Sequence, residues 1–134
     1  SRFEEKGFQI IGLKMVHISE TLARKHYAEH EGRDFFESLV KYTTSAPVLV
    51  IVLKGKNVVE IARKMMGATF GFRAEPGTIR GDYAVSNRFN LIHGSDSLAS
   101  AEREIGIFFH KGELFEYDPA DLTWVYDIST GDIV

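Results

Sequence analysis

Between Phe8 and Ile18 the chain is dense in Ile, Leu, Met and Val, and that density predicts a first strand. Ser19 then stands where a helix N-cap belongs. Leu22, Ala23, His26 and Tyr27 follow at helical spacing, so a helix is expected to about His30. Gly32 breaks it, and a second short helix is expected from Asp34, with Phe35, Phe36, Leu39 and Val40 as its apolar stripe. The apolar run from Val48 to Leu53, introduced by Pro47, has the pattern of a strand buried on both faces. Gly55-Lys56-Asn57 turns the chain into a further helix. Asn57 is its expected cap, Glu60 occupies the capping-box position, Val58, Ile61, Ala62, Met65 and Met66 share one face, and Gly67 closes it.

From Ala68 to Phe89 periodicity fades and Gly71, Pro76, Gly77 and Gly81 accumulate. Loops of this length inside a compact domain usually carry function. A short strand is expected at Leu91-Ile92, then His93-Gly94-Ser95-Asp96, then a last helix capped by Asp96 with Leu98, Ala101, Ile105, Phe108 and Phe109 on one face. The tail, Glu113 to Val134, reads as an irregular covering segment anchored by Trp124, Val125 and Tyr126. The order of elements predicts one α/β domain over residues 1–134, with helices laid on a small sheet.

Composition narrows the function. The chain has 134 residues, 44% of them hydrophobic and 26% charged, within the range of an ordinary globular domain. It has no cysteine, which excludes disulfides, thiolate catalysis and Cys-based zinc sites and fits a reducing compartment. The longest apolar run is too short to span a bilayer, and the charged start Ser1-Arg2-Phe3-Glu4-Glu5-Lys6 shows no signal-peptide core. The expected location is therefore the cytoplasm, with no membrane partner. A net charge of −3 argues against a nucleic-acid partner, whose phosphates call for a broad basic surface. A bound anion must instead meet a local cluster of cations.

Of the five histidines, His17, His26, His30 and His110 read as surface or satisfied core residues. His93 stands apart, at the junction of the short strand and the last helix, beside Gly94, which permits close approach of another group. Such junctions concentrate unpaired N–H groups and partial positive charge, a natural place for phosphate. Glu104 lies about two turns into that helix. A carboxylate on one imidazole nitrogen fixes the tautomer and leaves the other nitrogen free to attack, although spacing alone does not settle that the two meet. Arg63, on the polar side of its helix, and Arg80, in the long loop, offer forked donors suited to phosphate. The alternatives are a solvated face for Arg63 and a loop salt bridge for Arg80. No Walker A sequence is present.

Pro76-Gly77-Thr78-Ile79-Arg80-Gly81-Asp82 and Asn90-Leu91-Ile92-His93-Gly94-Ser95-Asp96 resemble the two signature stretches of nucleoside diphosphate kinases. Further matches run from His26-Tyr27 to Trp124-Val125-Tyr126, so the resemblance covers about residues 1–127. It implies a ferredoxin-like βαββαβ sandwich with an antiparallel sheet. It also implies ping-pong transfer of a terminal phosphate from a nucleoside triphosphate to a nucleoside diphosphate, with broad base tolerance. By the same resemblance His93 is the nucleophile that becomes phosphohistidine, Glu104 holds its other ring nitrogen, Ser95 bonds that carboxylate and Tyr27 lies close by. Arg63, Thr69 and Arg80 would grip the phosphates, Asn90 the sugar and phosphate end, Phe35 would stack on the base and Leu39 pack near it. Mg²⁺ would bridge phosphate oxygens with no metal ligands of the protein's own. The Trp124-Val125-Tyr126 tail resembles that of hexameric members, so a homo-oligomer is expected, a hexamer before a tetramer.

Two departures stand out. The family opens with a strand ending in Lys-Pro-Asp, whereas this sequence begins inside the following helix, at Ser1 to Gly7, and its first strand is absent. The expectation is that the natural protein carries roughly twenty more residues upstream, as strand and loop lengths suggest. Without them one strand would keep a free edge, the family's phosphate-contacting lysine would have no counterpart, and the chain should aggregate or stay molten. Second, Thr69-Phe70-Gly71-Phe72-Arg73 replaces a usual Asn-Pro after the threonine, which marks either a subunit contact or local packing. Two rival readings stay open: a catalytically weak nucleotide-binding or regulatory member of the fold, and a DNA-binding role.

Overall fold

The computed structural model describes residues 1–86, 89–120, 122–127 and 129. Two parts of the sequence reading thus lie partly outside the described residues: positions 87 and 88 of the long loop, and positions 121, 128 and 130–134 of the covering tail. After one helical turn, α1 (Arg2–Glu5), come strand β1 (Gln9–Val16), helix α2 (Glu20–His26) and helix α3 (Phe36–Thr43). Strand β2 (Val48–Lys54) and helices α4 (Val58–Met66), α5 (Ile79–Tyr83), α6 (Leu98–Phe108) and α7 (Leu122–Val125) complete the regular structure. Short 3₁₀ turns occupy Ala28–His30, Gly71–Arg73 and Lys111–Glu113.

The strands pair antiparallel, from Gln9 opposite Lys54 to Val16 opposite Val48, with an irregularity between Ile10 and Gly12. There the tail touches the sheet, Phe115 N–H donating to Ile11 C=O at 2.7 Å. Gly12 is glycine for a reason: a Cβ would meet Leu114 Cδ2 at 2.8 Å and the Phe109 ring at 3.0 Å. Helices α2 and α3 pack on each other, α2 also meets α6, and Ile18, Ala23, Phe36 and Val40 form the buried core between them. Full burial of a side chain such as Phe36 or Val40 stabilises the fold by about 1.5–3 kcal/mol.

Ser19 caps α2 as expected, its hydroxyl accepting from Leu22 N–H. Gly67 ends α4 at φ +86°, a conformation glycine adopts without a Cβ penalty. Several expectations are corrected. Strand β2 is not buried on both faces: Leu49 and Ile51 alternate outward, and with Leu13 and Met15 they leave one face of the sheet exposed. Asn57 precedes α4 at φ +50° and its side chain caps nothing, while Glu60 binds Lys64 at 2.6 Å instead of closing a capping box. Ser97, not Asp96, caps α6, accepting from Ser100 N–H. Leu98 on the first turn of α6 is exposed, and so is Trp124, which anchors nothing; Tyr126 does, its hydroxyl donating to Gly7 C=O at 3.1 Å.

The long loop is less irregular than its sequence. Thr78 caps α5 by accepting from Gly81 N–H, which turns Ile79–Tyr83 into a helix and carries Arg80 inward. No strand forms at Leu91-Ile92. Leu91 sits at φ +67°, incompatible with a ladder, and the sheet has two strands among the described residues. Arg73 lies 5.9 Å from the Phe70 ring centroid and 5.2 Å from that of Phe72, so this loop packs on itself while both rings stay exposed.

Candidate active site

The residues that bring His93 into place come from three directions. The loop entering it is held by Arg80, only 7% exposed, whose guanidinium donates to Asn90 C=O at 3.3 Å, Gly67 C=O at 2.9 Å and Ile92 C=O at 2.6 Å. Asn90 reaches across to Thr69, its Nδ2 donating to that carbonyl at 3.1 Å. From α4, Arg63 Nη1 donates to Gly94 C=O at 3.0 Å, and Met66 packs so tightly there that a Cβ on Gly94 would meet its Sδ at 2.6 Å. The close approach that Gly94 permits is thus made by Met66. From α6, Glu104 points back to the loop.

His93 Nε2 lies 3.0 Å from Glu104 Oε2, and Ser95 Oγ donates to the same oxygen at 2.6 Å. The side chain of Glu104 is 13% exposed and that of His93 46%, a sheltered carboxylate behind an accessible ring. Burial pushes the Glu104 carboxyl up, but the hydrogen bonds from His93 and Ser95 outweigh it and hold the carboxyl below its ordinary range. Glu104 is therefore held as an acceptor facing His93 Nε2, on the side of the ring away from Nδ1. Sequence spacing left this pairing open; the geometry closes it.

Rings surround the histidine. Tyr27 stands edge-on at 5.9 Å between centroids and His26 edge-on at 4.7 Å. His26 is the residue that sequence reasoning missed as part of this corner. It is buried, and its Nδ1 has no hydrogen-bond partner among the described residues. Burial, then the neighbouring His93, lowers its pKa to about 4. The available signal was its place beside Tyr27 on the last turn of α2. A relay of rings leads outward from Tyr27 to His30 at 6.3 Å and from His30 to Phe35 at 5.5 Å. Phe35 and the half-buried Leu39 thus line an outer shelf on α3.

The predicted residues fall into three groups: His93, Glu104, Ser95 and Tyr27 together, Arg63, Thr69, Arg80 and Asn90 around the loop, Phe35 and Leu39 on the shelf. Arg80 forms no loop salt bridge among the described residues; its three backbone bonds leave two of an arginine's five N–H donors. Lys14 is paired with Glu113 at 2.7 Å on the first strand and has no part in the site. A cleft of about 960 Å³ is lined by Arg63, Arg73, Thr78 and Asp96, among others, but not by His93. The hydrogen-bonded histidine thus lies outside this cleft.

The sequence profile of nucleoside diphosphate kinases matches residues 1–114. The chain is 55% identical over 127 residues to the nucleoside diphosphate kinase of Desulforamulus reducens, covering 95% of this chain and 85% of that protein. It is 56% identical over the same length to that of Pelotomaculum thermopropionicum, with the same shares covered. Among solved structures, a halophilic nucleoside diphosphate kinase from Halobacterium salinarum in complex with CDP superposes with a TM-score of 0.92 at 46% identity, covering 94% of this chain and 84% of that one. The fold is accordingly the ferredoxin-like one, and the chain belongs to the nucleoside diphosphate kinase family.

Proposed function

We propose that this chain exchanges terminal phosphates between nucleoside tri- and diphosphates through a covalent phosphate on His93. Relatives at this level of identity are nucleoside diphosphate kinases, and a nucleotide-exchanging phosphotransferase is the activity that similarity supports. The single observation that carries the assignment of His93 is its Nε2 contact of 3.0 Å with the Ser95-braced Glu104.

In the first half-reaction Nδ1 of His93 attacks the terminal phosphorus. An N–P bond forms, the bond from that phosphorus to the bridging oxygen breaks, and a nucleoside diphosphate departs with the electron pair. In the second half-reaction a terminal oxygen of another nucleoside diphosphate attacks the phosphohistidine, and the electron pair of the N–P bond returns to Nδ1. As positive charge spreads over the ring, Glu104 stabilises it through Nε2–H. Arg63 and the remaining donors of Arg80 meet the phosphates, with Thr69 and Asn90 beside them. Phe35 offers a stacking face and Leu39 an apolar edge, neither of which carries a side-chain donor to read a base, so the bases are discriminated weakly.

Enzymes of this family use a divalent metal in catalysis, which we assign as Mg²⁺. Glu104 faces His93 and Ser95, and the nucleotide's own phosphates would supply most of the oxygen ligands of such an ion. Such an ion would supply neutralisation of the charge that develops on the phosphate oxygens. We further assign the protein to the cytoplasm and to a hexamer, on the resemblance of its Trp124-Val125-Tyr126 tail to hexameric members. No described helix is long and apolar enough to cross a membrane.

Incubation with Mg·ATP labelled on the terminal phosphate tests the mechanism. The label should appear on His93, survive alkali and be lost in acid; label of equal yield in His93→Ala would overturn the assignment.

A further inference from the structure

His26 poses a question that phosphate transfer does not answer. A buried imidazole nitrogen without a partner costs about 1–3 kcal/mol, and among the described residues Nδ1 of His26 is one, in a side chain only 6% exposed. Its ring packs edge-on against Tyr27, His93 and Phe108, at centroid distances of 4.3, 4.7 and 5.1 Å. A phenylalanine would make those contacts as well. The His26 imidazole is buried beside another imidazole and a carboxylate, and each of the three residues offers a ligand atom to a common point.

We propose that His26, His93 and Glu104 form a binding site for a divalent ion of the zinc type, separate from the nucleotide-held magnesium. One ligand atom from each residue lies within 4.8 Å of the other two. Zinc bonds of about 2.0–2.2 Å in tetrahedral geometry place ligand atoms roughly 3.3–3.5 Å apart. His93 Nε2 and Glu104 Oε2 already stand at 3.0 Å, so the half-exposed His93 ring need only tilt toward His26. Two imidazoles and one carboxylate are the donor set of open, three-ligand zinc sites, with a fourth position left for water. Magnesium, which demands oxygen ligands, is poorly served by it.

The surroundings suit the ion. Ser95 stays on Glu104 as an outer support. Arg103 opposes a cation from 3.8 Å off Glu104 Oε1, but is itself drawn to Glu29 at 3.2 Å. An ion on Nε2 would separate His93 from the carboxylate that orients it and withdraw electron density from Nδ1. The metal-loaded enzyme should then accept phosphate slowly, a consequence that rests on His93 being the nucleophile.

The test is titration of the full, nucleotide-free protein with Zn²⁺ by calorimetry, with Co²⁺ as a spectroscopic substitute. One ion per chain and a tetrahedral Co²⁺ absorption band are expected, undiminished by millimolar-excess Mg²⁺. His26→Phe, which keeps the packing and removes the nitrogens, should weaken binding by at least about tenfold, since loss of a mere outer partner costs about 10–100-fold. A His110→Ala control should bind as the unmodified chain does. If His26→Phe melts without cooperativity, Glu104→Gln carries the same expectation. Unchanged affinity in the folded variant, an octahedral Co²⁺ spectrum or displacement by Mg²⁺ would overturn the proposal. None of these readings involves nucleotide, so their failure leaves the labelling of His93 untouched, and failure of labelling leaves them standing.

Discussion

The corner around His93 and the shelf around Phe35 lie one ring relay apart, yet they are built on opposite principles. At the corner, hydrogen bonds at 2.6, 2.6 and 3.0 Å tie Arg80 to Ile92 and both Ser95 and His93 to Glu104. On the shelf, Phe35 is 52% exposed and meets the His30 ring at 5.5 Å between centroids. Phosphoryl transfer needs its reacting atoms positioned, whereas stacking on a base tolerates any π-face. On the proposed mechanism, rigidity is concentrated where the bond is made, and tolerance where the substrate varies.

The two arginines give the comparison its largest test. Arg80→Ala removes three hydrogen bonds to backbone carbonyls beneath His93, so it should cost roughly 3 kcal/mol, or about 10 °C in Tm for a domain of this size, along with most transfer. Arg80→Lys should recover little, because one ammonium cannot span three carbonyls. Arg63→Ala, losing one exposed bond to Gly94, should change stability by less than about 1 kcal/mol. Calorimetric melts of the three variants check this, and equal losses for Arg63 and Arg80 would mean the loop is held by something else.

Glu104→Gln probes the corner directly. The amide keeps the shape but loses the charge that stabilises the ring, so kcat should fall by roughly 10–100-fold with KM nearly unchanged. A rise in KM at constant kcat would place Glu104 in substrate binding instead. The smallest effect belongs to the shelf. ADP, GDP, CDP and UDP should differ as acceptors by no more than about tenfold in kcat/KM, about 1.4 kcal/mol. A preference of thousands for one base would show a donor reading base edges and break the contrast between the regions.

Elements governed by local chemistry were legible in the sequence. Ser19 caps because its hydroxyl reaches an N–H three residues on, and Gly67 ends a helix because it alone is at ease at φ +86°. The Glu104 partnership was visible as two residues at compatible positions, and the signature stretches named their company. What escaped depends on packing between distant segments. His26 looked like one more helical histidine until α2 met α6, and no periodicity announces that meeting. The apolar run Val48–Leu53 could not reveal that Leu49 and Ile51 face outward, since hydrophobicity without alternation gives no direction. Asn57 and Asp96 are typical capping residues at helix starts, but the left-handed backbone of one and the better-placed neighbour of the other, Ser97, decided against them.

The central claim is that Glu104 holds one nitrogen of His93 and thereby dedicates the other to phosphate. Nitrogen–phosphorus coupling in the NMR spectrum of ¹⁵N-histidine-labelled protein, recorded after incubation with Mg·ATP, reads the bonded nitrogen directly. With Nε2 committed to Glu104 Oε2 at 3.0 Å, the account predicts a single species coupled through Nδ1 of His93. Phosphate on Nε2, or on another histidine, would contradict it.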